Sequence, residues 1–153
     1  MLYTMTSNND KTTSILLQLS VLSQYFIPLG NIVFPVLIWS IKRKESSFVD
    51  KNGKQVINFQ LSLLLYCLVI VLIAIPIILY SAFHNNTFII ENCEWIVKEF
   101  NSGRITGIIA TVVVSVILFT VLKVLEFCLV LYAAVKNSNG ESYKYPITIN
   151  FIK

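Results

Sequence analysis

Lys123 and Glu126 are the charged pair of a long apolar stretch near the end of this 153-residue sequence. Their spacing puts both side chains on one face of a helix, where each partly neutralises the other. A charge placed at the centre of a bilayer costs about 3 kcal/mol or more, so such residues face a bundle interior or water. Glu126 lies about ten residues before Lys136, roughly 15 Å along a helix. Asn31 lies about eleven residues before Lys42, so it falls at a similar depth. The first apolar segment is interrupted around Asn31, and the N-terminal donors of a half-helix starting there would suit a carboxylate. An acidic residue beside a broken helix is how many transporters build an ion site. The same residues also fit a structural pair that joins Gln18, Gln24 and Gln60 as internal glue. A third reading has Lys123 snorkelling to a frayed inner end. The candidate intramembrane polar site is therefore Lys123, Glu126, Asn31 and Gln60, with the structural reading preferred.

No other constellation points to catalysis. His84 is the single histidine and has no neighbouring ligand cluster, so no metal site is expected. The sequence contains no glycine-rich phosphate loop, no HExxH and no plausible nucleophile triad. No catalytic residues and no cofactor are expected, and the chain reads as a non-enzyme. Cys67, Cys93 and Cys128 form no CxxC and read as free thiols. Asn85-Asn86-Thr87 matches a glycosylation sequon, a match too short to weigh.

The elements that would hold the polar pair are apolar and long. The composition is 56% hydrophobic with a mean hydropathy of +0.73, too apolar for a soluble domain of this size. The predicted class is all-α: one integral membrane helical bundle over residues 12–153, preceded by a mobile polar tail, 1–11. Three main spans are expected, at about 12–41, 56–81 and 105–135, with interfacial helices at about 48–55 and 88–100. The first element carries no charge from Thr12 to Ile41, yet its centre holds Pro28, Gly30, Asn31 and Pro35. Proline and glycine two residues apart break helix hydrogen bonds at Pro28–Asn31. Two geometries fit: a kinked or tilted span, which we prefer, and a hairpin that re-enters and leaves by the same face. In the first loop, Ser47 reads as the N-cap of a surface helix with Asp50 three residues on. Phe48 and Val49 would anchor that helix in the membrane, and Gly53 weakens it. Pro76 should kink the second span and free the carbonyl of Leu72. In the polar segment 84–104, Ile89, Cys93, Ile96, Val97 and Phe100 recur at helical spacing, with Trp95 near the headgroups. Asn139-Gly140 stops the last span. Beyond it Ile147, Ile149 and Phe151 alternate with polar residues, and Tyr143 and Tyr145 suit the headgroup layer.

Lysine and arginine counts orient the chain. Lys42, Arg43, Lys44, Lys51 and Lys54 fall in the first loop, and Lys136, Lys144 and Lys153 near the C-terminus. The middle segment has Lys98 and Arg104, offset by three glutamates. The first loop and C-terminus are expected to be cytoplasmic. The net charge of +4 (pI ≈ 9.0) is read as topology and not as nucleic-acid binding. Residues 1–14 lack a convincing secretory leader, and Met5 is an alternative start.

Several motifs then resemble a known family. They are Tyr25-Phe26-Ile27-Pro28-Leu29-Gly30-Asn31, Pro35-Val36-Leu37-Ile38-Trp39, Phe48-Val49-Asp50, Asn58-Phe59-Gln60, and Asn139-Gly140-Glu141 with Tyr143-Lys144-Tyr145-Pro146. They are similar to small bacterial multi-pass membrane proteins catalogued as a domain of unknown function. That family is distantly similar to the twenty-kilodalton subunit of the chloroplast inner-envelope protein translocon. The resemblance runs from about residue 13 to the C-terminus and brings no catalytic residues with it. Lys123, Glu126 and residues 91–104 lie outside its pattern. The expected function is a structural or interaction component of the bacterial envelope, in the inner membrane. The alternatives are a small channel or transporter subunit using Lys123 and Glu126, and a translocon-like component acting on protein substrates. Expected partners are the lipid bilayer and further copies of the chain or other membrane proteins.

Overall fold

The computed structural model describes residues 7–84 and 106–152, and among them every regular element is helical. In chain order these are α1 (Asn8–Leu19), a 3-10 helix (Ser20–Tyr25), α2 (Gly30–Lys42), α3 (Ser47–His84) and α4 (Thr106–Ser138). The chain divides into two compact units. One comprises residues up to Leu65 together with those from Lys123 onward, and the other is Tyr66–Leu122.

The first unit contains both halves of the interrupted apolar element. Helix α1 starts at Asn8, before the apolar run begins, because the Ser7 hydroxyl accepts the Asn9 N–H at 3.3 Å and Asp10 sits in the first turn. Residues 8–11 are thus helical and not tail. At the other end the 3-10 helix tightens the chain ahead of Pro28. The Ser23 carbonyl accepts from both Phe26 and Ile27, and Leu29 takes a left-handed conformation with φ 63°. Gly30 follows directly against Ser23, where a Cβ would meet the serine backbone at 3.1 Å. Within this turn the Gly30 N–H donates to the Ile27 carbonyl at 3.0 Å.

The contact register shows what the turn does. Near the far ends of the two arms, Ser14 meets Asn137 and Trp39 meets Asp50. Near the turn, Gln24 meets Glu126 and Asn31 meets Gln60. The arms pack on each other, so the element doubles back and its two ends lie on one side. Thirteen-residue α2 is roughly 20 Å long, short of the ~30 Å hydrocarbon core. The preferred kinked span is therefore corrected to a hairpin. Among the described residues, the helices long and apolar enough to cross a membrane are α3 and α4, while α2 is a shorter apolar helix.

Helix α3 also departs from expectation. The surface helix at 48–55 and the second span are one 38-residue helix, which continues through Gly53 and Pro76. Nothing between Gln55 and Val56 stops it, since apolar residues follow without a turn signal. Its cap is Ser46, not Ser47: the Ser46 hydroxyl faces the Val49 N–H at 3.5 Å and its carbonyl takes the Asp50 N–H at 3.0 Å. Ser46→Ala is expected to cost about 1 kcal/mol, whereas Ser47→Ala should be near neutral. Hydrogen exchange at the Val49 and Asp50 amides checks this. Val49 is buried among protein groups and is no membrane anchor, and Phe48 is half-buried.

Helix α4 ends as its sequence requires. Glu141 N–H reaches the Lys136 carbonyl and Gly140 N–H the Asn137 carbonyl, with Gly140 at φ 80°. This is the glycine-terminated double hydrogen bond that closes many helices.

The second unit holds the remaining lengths of α3 and α4. Its outward faces are apolar and open, with Leu72 61% and Val116 58% exposed. Uninterrupted apolar surface of this kind fits a hydrocarbon surrounding. Between the two helices lies an apolar cavity of about 340 Å³ lined by Ile70, Ile73, Ala74, Ile77, Val114 and Leu118 among others.

Candidate polar site

The polar residues of the first unit form separate clusters on the faces that the hairpin, α3, α4 and the C-terminal tail share. Glu126 is 1% exposed although it carries a carboxylate on an apolar helix. One oxygen accepts from Lys123 Nζ at 2.8 Å, one turn back on α4. The other accepts from Gln24 Nε2 at 3.1 Å, and Lys123 also donates to Gln24 Oε1 at 2.7 Å. The three side chains close a ring in which one amide serves both charges. A buried carboxylate is tolerable only when paired and hydrogen-bonded, and here it is both. The donors are therefore side chains of the 3-10 helix and α4, not the N-terminus of α2.

Asn31 joins a different partner. Its amide donates to Gln60 Oε1 at 2.8 Å, tying the start of α2 to buried α3. The four predicted site residues thus fall into two hydrogen-bonded sets, Lys123–Glu126 with Gln24 and Asn31 with Gln60. Gln60 Nε2 is buried without a partner among the described residues.

At the loop end of the hairpin, Trp39 lies over Gly53 and donates its indole N–H to Asp50 at 3.0 Å. Lys54 bonds the other Asp50 oxygen at 2.6 Å, and the Arg43 guanidinium stacks 4.9 Å above the indole. Gly53 is where the ring must pass: a Cβ there would overlap the indole carbons. The helix-weakening glycine is thus a packing position. Gly53→Ala is expected to cost about 1–3 kcal/mol through displacement of Trp39, despite the better helix propensity of alanine. Tryptophan fluorescence and melting temperature together would show it. Pro35 is buried within α2.

The tail is part of the core. Tyr145 is 2% exposed and stacks on Phe59 with centroids 4.2 Å apart, and its hydroxyl donates to Gln18 Oε1. Burial pushes this phenol above the ordinary tyrosine range, which keeps it a donor. Tyr143 packs edge-on against Tyr132 and Tyr145 and is raised by burial as well. Tyr145 is thus buried within the first unit and Tyr143 half-buried beside it. Beyond Pro146, Ile147 adopts φ 54° and the strap reaches α3. Asn58 Oδ1 accepts the Phe151 and Ile152 N–H groups at 3.1 and 2.8 Å, and its amide donates to the Ile152 carbonyl at 2.9 Å. Ser62 Oγ accepts the Ile149 N–H at 2.8 Å. Ile147, Ile149 and Phe151 remain exposed, so α3 holds this strap by its main chain.

Sequence reasoning had not assigned roles to Ser62, Ser14 or Asn137. The available signal was polar residues four apart within apolar runs, Ser14 with Gln18 and Asn58 with Ser62. Among the described residues no group of three or more His, Cys, Asp or Glu is placed to hold a metal ion. Cys67 and Cys128 are free thiols. Cys93, Trp95, the expected helix at 88–100 and the sequon lie outside the described residues.

A family model described as the magnetosome magnetite crystal formation protein family matches residues 9–152, and the chain belongs to that family. No curated protein and no solved structure matches the chain.

Proposed function

We propose that this family member is a non-enzymatic scaffold of a bacterial membrane that serves magnetite crystal formation by shaping or organising the membrane around the crystal. One observation carries the reading: side-chain hydrogen bonds tie the hairpin, α3, α4 and the tail of the first unit together. Glu126, Lys123 and Gln24 lock the hairpin to α4, Asn31 and Gln60 lock it to α3, and Asn58 and Tyr145 fasten the tail. Such a lock gives a fixed membrane body. The test is expression in a magnetite-forming bacterium deprived of its own family member. Electron microscopy should show crystal number and size returning toward normal. A chain that inserts in the membrane and restores nothing would end the proposal.

The orientation we propose places the loop at 43–46 and the tail in the cytoplasm, with the membrane being the inner one. The lysine and arginine bias supports it, as does the presence of loop and tail in the same compact unit. Reporter fusions at Lys54 and Lys144 should read cytoplasmic and one at Asn92 external. A cytoplasmic reading at Asn92 would reverse the assignment.

The buried Glu126 carboxylate favours a second reading, a channel or transporter subunit in which Lys123 and Glu126 carry an ion or proton. Flux into liposomes that is abolished by Glu126→Gln, with the fold intact, would place this reading first. The remote likeness to the translocon subunit gives a third, with protein substrates. Crosslinking to exported chains tests that one.

A further inference from the structure

Within the first unit, Asn137 of α4 and Tyr145 of the tail both reach α1, at Ser14 and Gln18. Ser14 and Gln18 are four residues apart on α1 and share a face, and Asn137 lies near the end of α4. All three are 0% exposed, and Tyr145, which bonds Gln18, is 2% exposed. The Asn137 amide donates to the Ser14 carbonyl at 3.3 Å, and the Tyr145 hydroxyl donates to Gln18 Oε1. Each of the three residues retains one buried polar atom with no partner among the described residues: Ser14 Oγ, Gln18 Nε2 and Asn137 Oδ1.

The chemistry of these atoms is complementary to one ligand. Gln18 Nε2 can only donate, Asn137 Oδ1 can only accept, and the Ser14 hydroxyl can do either. A water molecule has two O–H donors and two lone pairs, and buried waters typically make about three hydrogen bonds. We propose that Ser14, Gln18 and Asn137 hold one buried water, bound as a fixed part of the fold. It accepts from Gln18, donates to Asn137 and completes its bonding at Ser14. An apolar ligand would leave all three atoms unsatisfied, and a cation would be repelled by the Gln18 N–H group. The water joins α1 to α4 at the end of the hairpin farthest from its turn. Tyr145 closes the node, so exchange of this water with solvent requires the tail to lift.

The test is water–protein cross-relaxation by NMR on the full chain in nanodiscs, read at the side-chain amides of Gln18 and Asn137. Both should show cross-peaks to a long-lived water. Ser14→Ala removes one of its three partners and should weaken those peaks in a chain that still folds. Ser14→Cys, with a poorer hydrogen-bonding group of similar size, is the second variant should alanine disrupt packing. Tyr145→Phe should speed exchange roughly two- to tenfold, the effect of losing one hydrogen bond at the lid. Absence of a long-lived water in the wild-type chain would overturn the proposal. So would cross-peaks that persist unchanged in both Ser14 variants.

Discussion

Replacing Glu126 with leucine is expected to destabilise the first unit by about 3 kcal/mol, the lower end of the range for breaking a buried ion pair. The lower end applies because the Lys123 side chain is 32% exposed and keeps its bond to Gln24. The carboxylate itself is the buried partner, with Gln24 and Lys123 both donating to it. Leucine would leave the Gln24 amide donor without its acceptor and deprive Lys123 of one of its bonds. Glu126→Gln keeps an acceptor for one donor and should cost about 1 kcal/mol. Melting temperature in detergent and steady-state abundance in the cell are the measurements. A leucine variant as stable as the wild type would show that the ring does not hold the hairpin. A double-mutant cycle with Gln24→Ala should reveal coupling, since both act on the same pair.

The second large effect is expected at the tail. Tyr145→Ala should cost about 3–5 kcal/mol, as removal of a fully buried aromatic side chain does. It deletes the stack on Phe59 and the bond to Gln18 together. Tyr145→Phe retains the stack and should cost about 1 kcal/mol, the net value of one hydrogen bond. Protease sensitivity of the segment after Gly140 separates tail release from global unfolding. In Tyr145→Ala cleavage there should rise well before α4 melts. Simultaneous loss of both would mean that the tail is inseparable from the core. Asn58 and Ser62 fasten the strap through main-chain groups, so substitutions at exposed Ile149 or Phe151 should matter far less.

The sequence alone determined the helical class, because uninterrupted apolar runs of spanning length leave the backbone no partner but itself. It determined the stop at Gly140, where a left-handed residue must follow the helix. It also placed a break beside Pro28, since proline acts through local backbone geometry, although the observed interruption lies at residues 26–29 and α2 already begins at Gly30. The sharing of a face by Lys123 and Glu126 was legible from spacing, as was the value of Gln18, Gln24 and Gln60 as internal polar groups.

The tertiary structure decided what the break becomes. A proline-glycine interruption is compatible with a kink or a reversal, and the choice rests on contacts far apart in sequence: Ser14 with Asn137, Gln24 with Glu126, Asn31 with Gln60. The meaning of Gly53 was also nonlocal. Its low helix propensity reads as a weakness until the Trp39 indole is seen to occupy the space a side chain would take. Helix α3 runs through Gly53 and past residue 55 despite the local cost of the glycine. The tail's alternating apolar residues fit an extended or an interfacial segment, and what holds it is Asn58 and Ser62 on its backbone with Tyr145 in the core. Main-chain recognition leaves no side-chain pattern to read. Long-range pairing of this kind depends on where the folded helices place their polar atoms, which periodicity along the chain does not encode.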